Sequence, residues 1–135
     1  MRIFCMSARD VDECWNDIQP LLEQFAQSTG ETKPDQIRTG ALNSMLQVWG
    51  LQDQDRVHGV LVTEVIESAW DHICVIRVAA GEVRLPLQER LLDEVGKWAR
   101  EIGCRRVRFV GRHGWLKRFK RFRPRAVVGE WDLSH

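Results

Sequence analysis

The spacing of apolar residues is most regular between residues 73 and 110, where it predicts a strand, a helix and a second strand. Residues 73–80 form a β-branched run that is apolar on both faces, as in a strand covered on both sides. Apolar residues then recur every three or four positions over residues 91–102, which indicates one helix face, and Gly103 ends that helix. Residues 105–110 alternate apolar residues with arginines, as a strand with one solvated face does. If the two strands are parallel, the three elements form a βαβ unit with a right-handed crossover.

The residues before this unit predict one strand and two helices. Residues 2–6 form a short strand. A first helix follows, in which the interior Pro20 predicts a kink or a break. Its apolar stripe consists of Val11, Cys14, Trp15, Ile18, Leu21, Leu22 and Phe25. A second helix starts within residues 32–35, and its predicted buried side carries Ile37, Ala41 or Leu42, and Met45.

Strands at 46–51, 56–66 and 72–79 are separated by polar turns, so the last two should form a hairpin. After the βαβ unit come a loop with two glycines at 111–115 and a short basic helix within 114–122. Pro124 precedes a last strand at 125–133, which is predicted from its alternating pattern. The predicted order is therefore β-α-α-β-β-β-α-β-α-β. This order defines an α/β (α+β) fold with a mixed, mostly antiparallel sheet.

The composition is that of a single soluble domain spanning residues 1–135, with 44% hydrophobic and 29% charged residues. No apolar run approaches the ~18 residues of a transmembrane helix. The first residues also lack the apolar centre of a signal peptide, so we expect a cytoplasmic protein without a membrane partner.

The net charge of +1 hides an asymmetry, because residues 104–125 contain ten Lys or Arg and no Asp or Glu. The other residues hold ten basic and nineteen acidic side chains. Either these basic residues bind a polyanion or an acidic protein surface, or they pair with acidic helices of the same chain.

The histidines, cysteines and carboxylates predict no metal site. Cys5, Cys14, Cys74 and Cys104 lack the spacing of zinc ligands or of a redox pair. We expect them to be reduced and mostly buried.

The element order resembles the GNAT acetyltransferase fold over essentially the whole chain. Residues 91–107 (LLDEVGKWAREIGCRRV) are similar to the central helix and following strand of that family. The resemblance implies a three-layer fold, whose strand–loop–helix–strand unit holds acetyl-CoA in the family.

The cofactor loop departs from the family pattern, in which glycines let backbone amides approach the pyrophosphate. The equivalent positions here contain no glycine and are Val83, Arg84, Leu85, Pro86, Leu87 and Gln88. A tyrosine general acid is common on the family's last short helix, and this chain has no tyrosine. We therefore expect little or no binding of acetyl-CoA.

The chain also resembles small GNAT-like proteins encoded by bacteriophages, often among genes for virion assembly. The similarity lies in residues 74–77 (CVIR), Gly81, residues 111–115 (GRHGW) and residues 127–133. It implies a role as a virion or assembly protein with other protein subunits as partners.

Few residues are candidates for chemistry. Glu64 and Glu67 lie on or beside a predicted strand where the family can place a general base, and His72 begins the next strand. Ordinary solvated or ion-paired side chains are the alternative for all three. His113 lies in the loop with two glycines, whereas His58 and His135 belong to no cluster.

The basic C-terminal region supplies a candidate interaction surface. Trp115 either stacks on a partner beside Arg112 or packs in the core, since Trp115, Phe119 and Phe122 share helical spacing. The candidate interaction residues are Arg112, Trp115, Lys117, Arg118, Lys120 and Arg121.

Three functions remain open from the sequence. The first is a GNAT-fold structural or assembly protein of a phage particle that has lost acetyl-CoA binding. The second is a divergent, active N-acetyltransferase that holds acetyl-CoA differently. The third and weakest is a nucleic-acid-binding module that uses the basic face at 105–125.

Overall fold

The structure is a computed structural model that describes residues 1–29, 32–111 and 113–134. The strands are β1 (Arg2–Met6), β2 (Gln47–Asp53), β3 (Arg56–Glu67), β4 (His72–Gly81) and β5 (Cys104–Phe109). The helices are α1 (Ala8–Glu13), α2 (Trp15–Thr29), α3 (Pro34–Leu42), α4 (Leu85–Glu101) and α5 (His113–Arg118). Among the described residues, no helix is long and apolar enough to cross a membrane.

The strands form one five-stranded sheet in the order β1-β2-β3-β4-β5. Neighbouring strands from β1 to β4 are antiparallel, and β5 is parallel to β4. The predicted hairpin is confirmed, with Glu67 opposite His72 and Gly59 opposite Gly81. The predicted βαβ unit is confirmed as β4, α4 and β5.

Helices cover both faces of the sheet, because successive strand residues point to opposite sides. On one face α1, α2 and α3 bury a cluster that includes Ile18 and Ile37 against Val62. On the other face α4 buries Val95 against the neighbouring Leu61. The result is the expected three-layer α+β architecture, with a mixed and mostly antiparallel sheet.

The first predicted helix is divided in two at Cys14. Of the two alternatives predicted for Pro20, the break is wrong, because α2 continues through it, and the kink stays a prediction. Ser7 starts α1 with a reciprocal cap, in which its Oγ accepts from the Asp10 amide at 3.1 Å. Pro20 lies inside α2 on an exposed position. The carbonyl of Asn16, which would have bonded to an amide at position 20, belongs to an exposed residue and can be hydrated instead.

Two predicted core positions lie outside the helices that were expected to bury them. Met45 is 64% exposed because α3 ends at Leu42, which is itself 46% exposed. Ile102 is 47% exposed because α4 ends at Glu101. In both cases the apolar spacing continues beyond the last helical turn.

The predicted last strand at 125–133 is wrong for this structure, which has no helix or strand between residues 123 and 134. Its apolar side chains are exposed, with Val127 at 94% and Trp131 at 87%. Alternating apolar and polar residues are compatible with a strand. A strand also needs a neighbour to pair with, and no described residue pairs with this segment.

Candidate functional site

The candidate site is a cleft where β4 and β5 separate. The parallel ladder ends with Ile76 opposite Phe109, whereas β4 continues beside β3 as far as Gly81. The last residues of β4 therefore have β3 on one side and no described strand on the other. This opening faces the start of α4 and the α5 region.

The end of β4 requires glycine at the turn into the α4 loop. Gly81 has φ +105°, and a Cβ there would lie 2.3 Å from the backbone oxygen of His58. Gly59, opposite it on β3, lets Val83 pack close, since a Cβ at residue 59 would lie 2.6 Å from Val83 Cγ2. These close approaches fold the loop at residues 82–84 against the sheet.

The cleft contains a cavity of about 210 Å³ with a mainly apolar lining. Four aromatic side chains form one wall: Phe109, Trp115, Phe119 and Phe122. Phe109 is central to this wall, with ring centroids 5.2 Å from Trp115 and 4.7 Å from Phe122. The other walls come from the ends of β3 and β4 and from the first turns of α4. Such a cavity suits a slender apolar group.

Gln88 and Arg118 contribute the polar side chains of the described cavity lining. Gln88 Nε2 donates to the Val83 carbonyl at 2.8 Å. Gln88 Oε1 is buried and has no hydrogen-bond partner among the described residues. A buried acceptor without a donor is costly, so this oxygen marks a place where a ligand N–H or O–H would be stabilised.

The first turn of α4 offers few free amides to an anion. Arg84 is the N-cap, and its carbonyl accepts from the amides of Leu87 at 3.0 Å and Gln88 at 3.1 Å. Pro86 has no N–H group. The remaining amides of the predicted loop belong to Val83, Arg84 and Leu85. This turn carries no acidic residue, so the positive end of the helix dipole is not compensated there.

Five of the six predicted cofactor-loop positions, all except Pro86, are candidates for cofactor binding, and they lie together at the mouth of the cleft. Val83 and Gln88 line the cavity, whereas Arg84, Leu85 and Leu87 flank it in the N-cap and first turn of α4. Their assignment to acetyl-CoA stays a prediction.

The acid–base candidates do not line the cavity. Glu64 is held by Arg77, whose Nη2 lies 2.7 Å from Glu64 Oε1. Glu67 and His72 face each other beside the turn that connects β3 to β4, with Glu67 Oε1 and His72 Nε2 3.5 Å apart, and both side chains are exposed. The described part of the cavity lining contains no carboxylate, histidine or cysteine.

The cysteines lack the features of a nucleophile. Burial raises the pKa of the Cys74 thiol to about 11, and it also raises the pKa of Cys104. Cys5 is exposed, contrary to the expected burial, and Cys14 is half-buried. Among the described residues, no cluster of His, Cys, Asp or Glu has the arrangement of a metal site.

The predicted interaction residues fall into three groups. Trp115 is half-buried against Phe109, which favours the core-packing interpretation over stacking on a partner. Arg121 binds the carboxylates of Asp93 and Glu89 on α4, and these hydrogen bonds, the one to Asp93 most of all, raise the pKa of its guanidinium. Lys117, Arg118 and Lys120 are exposed. Arg112, His135 and the side chain of His113 lie outside the description.

The sequence did not predict the cavity or the unpartnered oxygen of Gln88. The spacing of Phe119 and Phe122 predicted that they lie on one face of a helix. Both residues instead lie beyond the end of α5 and close the cleft. The apolar pattern signalled burial, but it did not indicate that these rings enclose a space.

Comparison with known proteins identifies the architecture. No protein-family model and no curated protein sequence matches the chain. A solved structure described as a probable acetyltransferase matches with a TM-score of 0.76 at 16% identity, covering 100% of this chain and 99% of the other. The chain has the GNAT fold.

Two further acetyltransferase structures support this conclusion. The ribosomal-protein-alanine N-acetyltransferase from Brucella melitensis biovar Abortus 2308 matches with a TM-score of 0.70 at 10% identity, covering 100% of both chains. A predicted acetyltransferase from Clostridium acetobutylicum, solved with acetyl-CoA, matches with a TM-score of 0.73 at 11% identity, covering 98% of this chain and 96% of the other. At these identities the similarity concerns the fold.

Proposed function

We propose that this GNAT-fold protein is a non-catalytic protein-binding component that does not depend on acetyl-CoA turnover. The observation that carries the proposal is the first turn of α4. Pro86 lacks an amide hydrogen, and the amides of Leu87 and Gln88 donate to the Arg84 carbonyl. A pyrophosphate needs several convergent N–H donors, and this turn leaves too few.

The lining of the cleft supports the same proposal. Acyl transfer to an amine needs a proton acceptor near the reacting nitrogen. The described cavity lining carries no acid or base, and Arg118 is its only charged side chain. Glu64 forms an ion pair with Arg77, and Glu67 lies at the far end of the hairpin.

The partner we propose is an acidic surface of another protein subunit. Lys117, Arg118 and Lys120 are exposed on one short stretch, which we call the basic patch. Arg121 forms ion pairs with Glu89 and Asp93 of α4, so it does not belong to the basic patch, which is smaller than the sequence predicted. We propose a virion subunit as this partner, because the chain resembles small phage-encoded proteins. The two proteins would meet in the host cytoplasm or in the particle.

A divergent N-acetyltransferase is the second candidate, and the cavity favours it. The apolar walls and the unpartnered Gln88 Oε1 would accept an extended chain bearing an amide N–H, such as the pantetheine arm of acetyl-CoA. The pyrophosphate end of that cofactor does not fit the amides of α4. We therefore derive no reaction step through acetyl-CoA.

A nucleic-acid-binding role is supported less well. Single-stranded nucleic acids stack on exposed aromatic rings beside basic residues. Here Trp115, Phe119 and Phe122 pack towards the α4 side of the sheet, and Phe119 is buried. The basic patch alone would supply only salt-dependent attraction.

Titration calorimetry with acetyl-CoA separates the two main candidates. We expect no measurable heat of binding for the natural sequence. The matched variant Pro86→Gly with Gln88→Gly restores glycines at the loop positions of the family, so a gain of binding there would identify the loop as the cause. Micromolar or tighter binding by the natural sequence would contradict the non-catalytic proposal.

A further inference from the structure

The cavity in the cleft has the size of a single apolar side chain. Its volume of about 210 Å³ exceeds the roughly 150 Å³ of an apolar protein cavity that holds benzene. It is smaller than the roughly 300 Å³ at which pockets for drug-sized ligands begin. The wall that contains Phe109, Trp115 and Phe122 offers ring faces and edges to a phenyl or isobutyl group. The cavity therefore suits one side chain of that size.

Gln88 determines which kind of polar atom a ligand must bring. Its Nε2 donates to the Val83 carbonyl at 2.8 Å, and only the nitrogen of the side-chain amide can make this bond. Turning the amide over would bring two oxygen atoms together, so Oε1 stays buried without a partner among the described residues. A buried acceptor is stabilised by a donor, and the ligand must therefore carry an N–H or O–H group.

Arg118 determines the charge of the ligand. It lines the cavity, it is exposed, and no described carboxylate forms an ion pair with it. Arg121, three residues later, is by contrast occupied by Asp93 and Glu89. A guanidinium binds carboxylates through two parallel hydrogen bonds. Since the described lining contains no acid, a carboxylate on the ligand would meet attraction without repulsion.

The last residue of a polypeptide meets all three requirements, because its side chain, amide N–H and carboxylate are attached to one Cα. We propose that the cavity binds the C-terminal residue of a partner polypeptide. A phenylalanine or leucine side chain fills the apolar space, the amide N–H donates to Gln88 Oε1, and the terminal carboxylate binds Arg118. This inference rests on the proposed function, since it names the acidic group that the partner brings to the basic patch.

The chemistry of the cavity favours a polypeptide over a free amino acid. The nitrogen of a free amino acid is a charged ammonium, which is costly to bury beside apolar walls, whereas a backbone amide is neutral. Apolar residues next to the lining also offer contacts to the preceding residues of a chain. Leu85 in the first turn of α4 is 43% exposed, and Val110, which follows Phe109, is 67% exposed.

Synthetic peptides test each contact separately. Acetyl-Ala-Ala-Phe with a free carboxylate is titrated into isotopically labelled protein, and NMR follows the side-chain amide of Gln88 and the indole N–H of Trp115. We expect both signals to shift saturably. Three altered peptides each remove one contact: a C-terminal carboxamide, a methylated last amide nitrogen, and alanine in the last position. Each should raise the dissociation constant about tenfold or more.

Variants of the protein identify the groups that make these contacts. Arg118→Gln should weaken binding of the free-acid peptide about tenfold and leave binding of the carboxamide peptide unchanged, because the two groups act as a pair. Lys120→Gln is the matched control, since it removes the same charge from an exposed position outside the described cavity lining. Gln88→Met removes the acceptor at similar length, so it should abolish the preference for the unmethylated peptide. Equal weakening by Arg118→Gln and Lys120→Gln would refute the contact with the carboxylate.

Two further ligands in the same assay decide the remaining outcomes. Free phenylalanine should not bind, and binding as tight as that of the peptide would refute a polypeptide as the ligand. Acetyl-CoA separates this inference from the proposed function. Peptide binding without acetyl-CoA binding supports both, and no binding of either ligand refutes only the inference. Binding of both ligands contradicts only the non-catalytic function, and binding of acetyl-CoA alone contradicts both.

Discussion

At the scale of single residues, Gly81 determines how β4 passes into the cleft. Its φ of +105° lies in a region that L side chains rarely adopt, and the His58 backbone oxygen occupies the place of a Cβ. The sequence marked Gly81 as the start of a loop, but it did not show that β3 approaches so closely. A backbone contact cannot be relieved by a side-chain rotation, so substitution here must move the strand.

We expect Gly81→Ala to lower the free energy of unfolding by about 3 kcal/mol, from positive-φ strain and from the contact with His58. Gly96→Ala is the matched control, because a Cβ at this position of α4 meets no atom within 4 Å. Replacing glycine in a helix should raise stability by about 0.5–1 kcal/mol. Urea denaturation of both variants checks the prediction. Similar midpoints would show that the chain around residue 81 adopts another conformation.

Asp71 should have a measurable effect on how the stability of the protein depends on pH. Its carboxylate accepts hydrogen bonds from Arg106 and from the Ser68 hydroxyl, and the Arg106 bond is the main cause that lowers the pKa of Asp71. A lowered pKa in the folded state stabilises the protein fully above the unfolded pKa of about 4. That contribution is lost as the pH falls through the lower folded pKa.

Arg106→Gln should therefore raise the pKa of Asp71 and make stability less sensitive to acid below about pH 4. NMR titration of the carboxyl and denaturation midpoints over an acidic pH series measure the two effects. Arg105→Gln is the control, because Arg105 acts on Asp71 only through weaker charge interaction. An unchanged pKa in Arg106→Gln would show that this ion pair does not form in solution.

At the scale of elements, α4 has the burial pattern expected of a helix packed on a sheet, but two positions differ. Leu91 and Val95 are buried, as predicted. Trp98 is only half-buried, and its ring meets Trp49 edge-on with centroids 5.5 Å apart. Ile102, expected on the same face, is exposed beyond the helix end.

Trp98→Ala should cost about 2 kcal/mol, less than the loss of a fully buried tryptophan, because part of the ring is already in water. Ile102→Ala should cost less than about 1 kcal/mol for the same reason. Chemical denaturation of the two variants tests whether the helix face is oriented as described. A larger loss for Ile102→Ala than for Trp98→Ala would contradict this orientation.

The sequence predicted the helices and strands whose apolar residues recur regularly because they are buried against other parts of the same chain. The strands from Arg56–Glu67 and His72–Gly81 and the helix α4 follow directly from apolar spacing. The alternation at 125–133 was equally regular, but pairing depends on which edge is available, and a local pattern does not contain that information. The sequence did not predict the cleft for a related reason. The cleft lies where β4 continues beyond the end of its pairing with β5, and that pairing is not contained in a local pattern.

At the scale of the whole molecule, the charge asymmetry is partly resolved by the fold. Arg121 pairs with Glu89 and Asp93 of α4, and Arg106 pairs with Asp71. Pairing within the chain therefore explains part of the basic region, and binding of a partner by its other residues stays a prediction. The basic patch at Lys117, Arg118 and Lys120 remains exposed and can act on a partner. Replacing Arg121 with an acidic residue would place a third acid beside Glu89 and Asp93. That substitution would lower the stability of the protein, so its effect on binding could not be measured separately.

The basic patch should make the protein bind an acidic polymer despite a net charge of only +1. We expect the natural sequence to be retained on immobilised heparin at low salt and Lys117→Glu with Lys120→Glu to elute at distinctly lower salt. Electrostatic attraction is local because screening limits its range to ~10 Å at moderate ionic strength. The control Lys33→Glu with Lys97→Glu changes the net charge equally on exposed positions elsewhere, so it should elute close to the natural protein. Equal shifts for the two double variants would show that net charge, rather than the basic patch, governs retention.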